Sequence, residues 1–247
     1  MDGKGKISIL PTWLHRRMLN EMGIVVLILL IVAGIWGFVE VADKVLEGEA
    51  PGLDEWFFYL SRAAGDPAQP IRPSWLDVFM RDITALGGWA VLSLLTAAMA
   101  GYLYLQRRYH LLKLILVSNG GGALLAAVLK AIFARERPPF ALHLMDSPSF
   151  PSAHSMMAAV VYPTLAVLLA RIQPRLRIRV YIIALGLLIP FLVGISRVYL
   201  GVHYVTDVQA GWCMGLAWTS VNGFLAWYLQ KRGKIRGEAS GQGSALV

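Results

Sequence analysis

Charged residues are scarce in this sequence. They make up 15% of its 247 residues, and hydrophobic residues make up 57%, whereas a soluble domain carries roughly 25% charged residues. The shortage of charge indicates that much of the chain is surrounded by lipid. The length suits one domain, so residues 1–247 are predicted to form a single unit.

Cysteine is nearly absent as well. Cys213 is the single cysteine, so an internal disulfide is excluded and the sequence says nothing about redox compartment. Because Cys213 lies within an apolar run, we expect it to be a small buried side chain.

Acidic residues are outnumbered by basic ones, and the net charge is +8. A basic balance can indicate nucleic acid, but here the basic residues lie in four clusters between apolar stretches of about 20 residues, the length that spans a bilayer. The four clusters fall on one side of the membrane if there are six spans, and the positive-inside rule makes that side cytoplasmic. The charge is thus explained without nucleic acid. The clusters are Lys4, Lys6, Arg16 and Arg17; Arg107, Arg108 and Lys113; Arg171, Arg175, Arg177 and Arg179; and Lys231, Arg232, Lys234 and Arg236.

The apolar pattern predicts an all-α membrane protein, a bundle of six transmembrane helices. Its N-terminal tail (1–22) and C-terminal tail (231–247) are predicted to be cytoplasmic. The first run continues from Gly23 to about Val39, too long for a signal-peptide core, so we interpret it as an uncleaved span. The predicted spans are Gly23–Val41, Gly87–Leu105, Leu111–Phe133, Ser155–Ala170, Ile178–Ile195 and Val208–Leu229.

Three links fall on the opposite side, over residues 42–86, 134–154 and 196–207. In the first, Leu53–Ala64 has an aromatic, apolar face and polar ends. This pattern fits a helix lying in the membrane interface or an ordinary loop helix packed on the bundle.

Ionisable residues near membrane depth are costly and therefore functional candidates. Lys130 and Arg137 are seven residues apart, so they are predicted to share one helix face and point at one anion. Pro138 would then end the helix.

A second group, Ser152, Ala153 and His154, stands immediately before the fourth span. Ser152 occupies a helix N-cap position, and the free backbone N–H groups at a helix start bind anions.

The third group is Arg197, His203 and Asp207. His203 and Asp207 are four residues apart, so the carboxylate can hold the imidazole if the segment is helical. The three groups together supply cations, a hydroxyl, a helix start and two histidines at one membrane face, which are the requirements of phosphoryl transfer.

These groups resemble the three signature motifs of the phosphatidic acid phosphatase type 2 superfamily, K-x6-R-P, P-S-G-H and S-R-x5-H-x3-D. The resemblance runs in order from Lys130 to Asp207, and the six-span layout extends it over most of the chain. One departure is Ala153, which stands where the family usually has glycine. Its methyl group lies near the expected phosphate and disfavours a positive φ.

The resemblance implies that His203 attacks phosphorus and forms a phosphohistidine, that Asp207 orients it, and that His154 protonates the leaving oxygen. It implies neither a metal nor another cofactor. The phosphoryl oxygens would be held by Lys130, Arg137, Ser152, Ala153 and Arg197. His143 and Asp146 lie in the same link, but no motif places them, so we interpret them as loop residues.

The implied activity is hydrolysis of a membrane lipid phosphate at the periplasmic or extracellular face of a bacterial inner membrane. Phosphatidic acid, phosphatidylglycerol phosphate, undecaprenyl diphosphate and lipid A phosphates all remain candidates. Two alternatives are a phosphotransferase that passes the phosphoryl group to a second lipid and a non-enzymatic lipid-phosphate carrier. The haloperoxidases that share these motifs are soluble, unlike this chain.

Two glycine patterns predict close helix packing. They are Gly120-Gly121-Gly122 in the third span and Gly211 with Gly215 in the sixth. The triple glycine could instead open room for a lipid chain.

Overall fold

The computed structural model describes residues 12–48, 52, 54, 62–63, 66–70, 74–138 and 147–231. Apart from Asp54 and the pair 62–63, the predicted interfacial helix Leu53–Ala64 lies outside these residues. So do His143, Asp146 and the tail after residue 231.

The regular secondary structure in the described part of the chain is helical apart from one short antiparallel hairpin. The hairpin pairs β1 (Arg62–Ala63) with β2 (Asp66–Pro70). The helices are α1 (Thr12–Leu46), α2 (Ser74–Ala85), α3 (Trp89–Leu105), α4 (Tyr109–Phe133), α5 (Ala153–Arg171), α6 (Leu176–Tyr199) and α7 (Val205–Lys231).

Four of these helices are long and apolar enough to cross a membrane: α4, α5, α6 and the Glu21–Leu46 part of α1. Helices α2 and α3 meet at a bend of 41° and together are long and apolar enough for a fifth span. The protein is thus a helical membrane protein. The sixth span, predicted over Val208–Leu229, falls within α7. The count of six and the cytoplasmic position of the termini stay predictions.

Helix α7 is less apolar than the other long helices because it lies inside the bundle. It packs against α1, α4, α5 and α6. It therefore does not need an apolar surface on every side. Ser220 and Asn222 are buried on it. Helix α1 shows the opposite pattern, since Val25, Leu29 and Val32 are more than half exposed, as suits side chains in contact with lipid.

Helix α7 supplies the hydrogen bond that a proline removes from the backbone of α5. Pro163 cannot donate to the carbonyl of Ala159, four residues earlier. Thr219 of α7 supplies the missing donor, with its Oγ1 3.2 Å from the Ala159 oxygen. A neighbouring helix therefore satisfies the freed carbonyl, as expected for proline in membrane helices.

Glycines on α7 let it approach the backbone of α5 closely. A Cβ built on Gly215 would lie 2.6 Å from the Met156 oxygen, and one on Gly211 would lie 2.8 Å from the Ser152 oxygen. Both distances are too short for real contacts, so the predicted packing role of these two glycines is confirmed.

The three consecutive glycines of α4 do not share one role. A Cβ on Gly121 would lie 2.5 Å from the Trp218 ring, and one on Gly122 would touch Val160 and Met157. A Cβ on Gly120 would meet no heavy atom within 4 Å, and this glycine is exposed. Packing therefore explains Gly121 and Gly122 but not Gly120.

We expect Gly215→Ala to lower the thermal unfolding temperature of the detergent-solubilised protein, because the added methyl group meets the α5 backbone. Overpacking of this kind costs about 1–3 kcal/mol. Gly120→Ala is the matched control, with an unchanged or slightly raised unfolding temperature, since alanine favours helix over glycine. Equal unfolding temperatures for the two variants would contradict the close α5–α7 contact.

Candidate active site

The predicted site residues lie where the chain leaves α4, enters α5, leaves α6 and enters α7. Helix α4 ends at Phe133, because Ala134 adopts a left-handed conformation with φ of 45°. Arg137 therefore does not continue the α4 helix, and the prediction that Lys130 and Arg137 share one helix face is wrong. The same left-handed residue redirects the chain well before Pro138.

The two cations nevertheless face the same stretch of chain. Lys130 Nζ donates to the Pro148 carbonyl. Arg137 Nε donates to the neighbouring Ser147 carbonyl at 2.7 Å, and its NH2 group donates to Ser147 Oγ at 2.9 Å. The loop over residues 147–150, rather than helical periodicity, brings Lys130 and Arg137 together.

Arg137 also connects this loop to the catalytic histidine predicted from the sequence. Its NH1 donates to the Val202 carbonyl at 2.8 Å and lies 3.3 Å from His203 Nε2. Burial lowers the pKa of Arg137 below its ordinary value, and the nearby Asp207 carboxylate opposes that effect.

His203 is buried and contacts Asp207 as predicted, with Nδ1 3.2 Å from Oδ2. The contact does not require both residues to be helical, as the spacing argument assumes. Helix α7 begins at Val205, so only Asp207 lies within it. Because a carboxylate only accepts, Nδ1 carries the proton and Nε2 carries the lone pair. Nε2 faces Arg137 and is the atom available for attack on an anion.

Asp207 is fully buried and its two oxygens have separate partners. Oδ1 accepts from Arg135 NH1 at 2.8 Å. Oδ2 accepts from His203, from the Ser149 hydroxyl and from the Tyr204 backbone N–H at 2.9 Å. A buried charge requires such pairing, since an unpaired one is strongly destabilising.

The start of α5 has the predicted capped form. Ser152 is the N-cap, and its Oγ accepts from the Ser155 N–H and from the Ser155 hydroxyl. Its own N–H donates to the Asp207 carbonyl at 2.9 Å. Ala153 is the first helical residue and its φ is not positive. The conformation at this position therefore does not require glycine.

His154 and Arg197 complete the group. Arg197, in the last turn of α6, is buried and donates through NH1 to Thr84 Oγ1 of α2 at 3.3 Å. His154 interacts electrostatically with Arg197, His203, Arg137 and Lys130. His154 thus lies near enough to the other predicted histidine and to the three predicted cations to interact with their charges.

Comparison with known proteins decides the family. Residues 111–233 match the PAP2 superfamily. The chain is 46% identical over 151 residues to phosphatidylglycerophosphatase B of Bacillus subtilis (strain 168), which covers 59% of this chain and 73% of the relative. The chain belongs to the PAP2 superfamily. It falls in the membrane-bound lipid phosphatase branch of that family.

A second relative and a solved structure agree with this assignment. The undecaprenyl-diphosphatase of Sulfolobus acidocaldarius is 38% identical over 88 residues, 36% of each chain. The crystal structure of the first transmembrane PAP2 type phosphatidylglycerolphosphate phosphatase from Bacillus subtilis superposes with a TM-score of 0.66 at 33% identity. That match covers 82% of this chain and 96% of the other.

In this PAP2 chain, the motifs identify the residues expected to face the phosphate but not those that support them. Ser147 and Ser149 bind Arg137 and Asp207, and Thr84 binds Arg197. Their signal in sequence is weak, because serine and threonine are common in loops and at helix ends. Arg135 lies inside the first motif, yet nothing in the spacing distinguishes it from a surface arginine.

His203 is expected to stay neutral well below neutral pH. Burial lowers its pKa from 6.5 to about 4; the Asp207 hydrogen bond and charge oppose this shift, while Arg197 and Arg137 add to it. Its neutral form therefore persists until the pH falls through about 4. Between pH 5 and 7, protonation of His203 should therefore not lower kcat/KM for a lipid phosphate. The profile should follow the ionisation of the substrate, whose second pKa is about 6, and that of His154, which must carry a proton to act as the expected acid.

The measurement is a kcat/KM profile compared with a phosphorus NMR titration of the same substrate in the same detergent. An additional inactivating protonation near pH 6.5, the ordinary pKa of histidine, would show that His203 is not shielded as its burial implies.

Proposed function

We propose that this protein is an integral membrane phosphatase that hydrolyses a phosphomonoester or diphosphate headgroup of a lipid through a phosphohistidine on His203. The contact between His203 and Asp207 carries the proposal. It fixes the proton on Nδ1 and leaves the Nε2 lone pair beside Arg137. A carrier that only binds a lipid phosphate needs cations but no buried, oriented imidazole, so this contact favours an enzyme.

The reaction begins with attack of His203 Nε2 on phosphorus. The P–N bond forms as the bond from phosphorus to the lipid oxygen breaks, and His154 gives its proton to that oxygen. Lys130, Arg137 and Arg197 balance the charge on the equatorial phosphoryl oxygens. Ser152 and the N–H groups at the start of α5 are proposed as further donors.

The second half of the reaction uses water. His154, now neutral, takes a proton from a water molecule as its oxygen attacks phosphorus. The P–N bond then breaks, inorganic phosphate leaves, and His203 and His154 return to their starting states. Asp207 remains a carboxylate throughout and holds the Nδ1 proton in place, so that the imidazole keeps its orientation.

Charge stabilisation in this mechanism comes from side chains, so we propose that it needs no metal. The described residues contain no group of three or more His, Cys, Asp or Glu side chains arranged to hold a metal ion. The cations that surround the proposed phosphate position are instead Lys130, Arg137 and Arg197.

A glycerophospholipid phosphomonoester such as phosphatidylglycerol phosphate is the first substrate to test. The 46% identity to a phosphatidylglycerophosphatase B supports this choice. A polyprenyl diphosphate is the second candidate, supported by the shorter match to an undecaprenyl-diphosphatase. Phosphatidic acid and lipid A phosphates belong in the same panel.

The proposed setting is a single domain of six spans, with both termini in the cytoplasm and the site at the outer face. The four basic clusters, which six spans would place on one side of the membrane, support this orientation. A phosphotransferase remains the alternative, because the same phosphohistidine can be discharged to a second lipid. Product analysis with and without an acceptor lipid separates the two reactions.

The purified protein is expected to release inorganic phosphate from at least one lipid of this panel in detergent containing EDTA. His203→Ala should abolish that release, because the variant lacks the nitrogen proposed to form the P–N bond, while it keeps its helical circular dichroism. Phosphate release at the wild-type rate by His203→Ala, or release that requires added magnesium, would overturn the mechanism.

Orthovanadate is expected to inhibit competitively, since it adopts the five-coordinate geometry of the transition state, which the site should bind more tightly than the substrate. Arg197→Ala should raise the vanadate inhibition constant and lower kcat/KM by about tenfold to a hundredfold, the range for a charge-assisted hydrogen bond.

Arg179→Ala is the matched control, because Arg179 lies at the far end of the same helix, is exposed, and donates to the Gln173 carbonyl. If Arg197→Ala and Arg179→Ala give the same inhibition constant, Arg197 does not contact the transferring group.

A further inference from the structure

Arg135 lies between two buried carboxylates, one of which belongs to the proposed catalytic group. Its NH1 donates to Asp207 Oδ1 at 2.8 Å, and its NH2 donates to Asp54 Oδ2 at 3.0 Å. The guanidinium carbon also lies 4.3 Å from the centre of the Tyr204 ring. Two salt bridges and a cation–π contact therefore fix the position and orientation of this side chain.

Asp54 comes from the long link between α1 and α2, far from the motifs in sequence. Only 3% of its surface is exposed. Its Oδ1 accepts from the Thr206 backbone N–H at 3.1 Å and its Oδ2 accepts from Thr206 Oγ1 at 2.7 Å. Thr206 is in the first turn of α7, where a carboxylate is favoured by the free N–H groups and the helix dipole.

Thr206 closes the arrangement, since its Oγ1 also receives a hydrogen bond from Arg135 NH1 at 2.8 Å. Asp54, Arg135 and Thr206 thus contact one another, and Arg135 joins them to the oxygen of Asp207 that does not contact His203. Asp207 Oδ2 is bound by His203, whereas Oδ1 is bound by Arg135.

We propose that Asp54 and Arg135 are positioning residues for the reaction, with Asp54 holding Arg135 and Arg135 holding Asp207 in the orientation that fixes the His203 imidazole. This inference rests on the proposed function, in which His203 attacks phosphorus. It gives the link between α1 and α2 a role in the reaction, because Asp54 belongs to that link and begins the series of contacts that leads through Arg135 to Asp207.

Charge explains why both residues are needed. Alone, Arg135 would direct its whole charge at Asp207 and compete with His203 for the carboxylate. Asp54 divides that charge between two carboxylates, so Asp207 keeps its interaction with the imidazole. Without Arg135, Asp207 Oδ1 would lose its charged partner and the carboxylate could rotate away from Nδ1.

Asp54→Asn tests this arrangement with almost no change in shape. Both Asp54 oxygens face donors, so an amide placed either way turns its N–H groups toward Arg135 and the Thr206 hydroxyl or toward the Thr206 N–H. Loss of one charge-assisted hydrogen bond corresponds to about tenfold to a hundredfold. We expect kcat to fall by that factor on a short-chain phosphatidylglycerol phosphate in detergent, with KM changed less than about threefold.

The split between kcat and KM separates positioning from binding. Among the described residues, the hydrogen bonds of Asp54 go to Arg135 and Thr206 and not to the proposed phosphate ligands. The orthovanadate inhibition constant should therefore change much less than kcat. A merely structural role would lower the unfolding temperature while leaving the kcat of the folded fraction unchanged. Glu136→Gln is the matched control, because it removes an exposed carboxylate beside Arg135 and should leave kcat unchanged.

A double-mutant cycle tests whether Asp54 acts through Arg135. If it does, Asp54→Asn combined with Arg135→Gln should have a kcat within about threefold of that of Arg135→Gln alone, since residues that act as a unit are non-additive. Multiplied losses would overturn the inference, as would a wild-type kcat in Asp54→Asn or a KM that rises as kcat falls.

Arg135→Lys keeps the test decisive if Asp54→Asn does not fold. Lysine retains the charge but lacks the planar fork that reaches two carboxylates at once, so kcat should lie between those of the wild type and Arg135→Gln. A wild-type kcat in Arg135→Lys would contradict the bridging role. Inactive His203→Ala together with a fully active Asp54→Asn would remove this inference alone, whereas full activity of His203→Ala would remove the proposed function.

Discussion

The carboxylate of Asp207 is a charge with no exposed surface, and several separate parts of the chain converge on it. Its side chain binds the loop after α4 through Arg135, the segment before α5 through Ser149, and the segment before α7 through His203 and Tyr204. Its backbone carbonyl receives the Ser152 N–H at the cap of α5. A buried carboxylate is tolerated only when such partners are present, so the same bonds that stabilise the buried Asp207 also assemble the site.

The surrounding membrane makes the need for hydrogen-bond partners stricter. Polar groups inside lipid must be satisfied by protein, and the described site places them where helices end and loops begin. Helix α7 can carry Asp207 at its start and polar side chains along its length because four other helices cover it. The close α5–α7 contact at Gly211 and Gly215 then places the start of α5, with Ser152 and His154, beside the start of α7.

The sequence predicted which residues gather at the site better than it predicted how they are brought together. The motif spacing identified Lys130, Arg137, His154, Arg197 and His203, and in the structure His154 lies close enough to the other four to interact with them electrostatically. Periodicity failed between Lys130 and Arg137, because a left-handed residue at Ala134 ends the helix. Asp54 was beyond prediction, since its partner Thr206 is 152 residues away and no local pattern reports such a contact.

The supporting residues explain how a site so rich in cations remains folded. Lys130, Arg137 and Arg197 repel one another, and in the absence of a phosphate that repulsion is offset by loop carbonyls and by Asp207. Lys130 and Arg137 donate to the carbonyls of Pro148 and Ser147, which are neutral acceptors and hold the cations without cancelling their charge. The full carboxylates, Asp54 and Asp207, are paired with Arg135, a cation that no motif assigns to the phosphate. This division is expected to keep the three cations that we propose to face the phosphate charged and oriented before the substrate arrives, which is the condition under which fixed charges stabilise a transition state without reorganising.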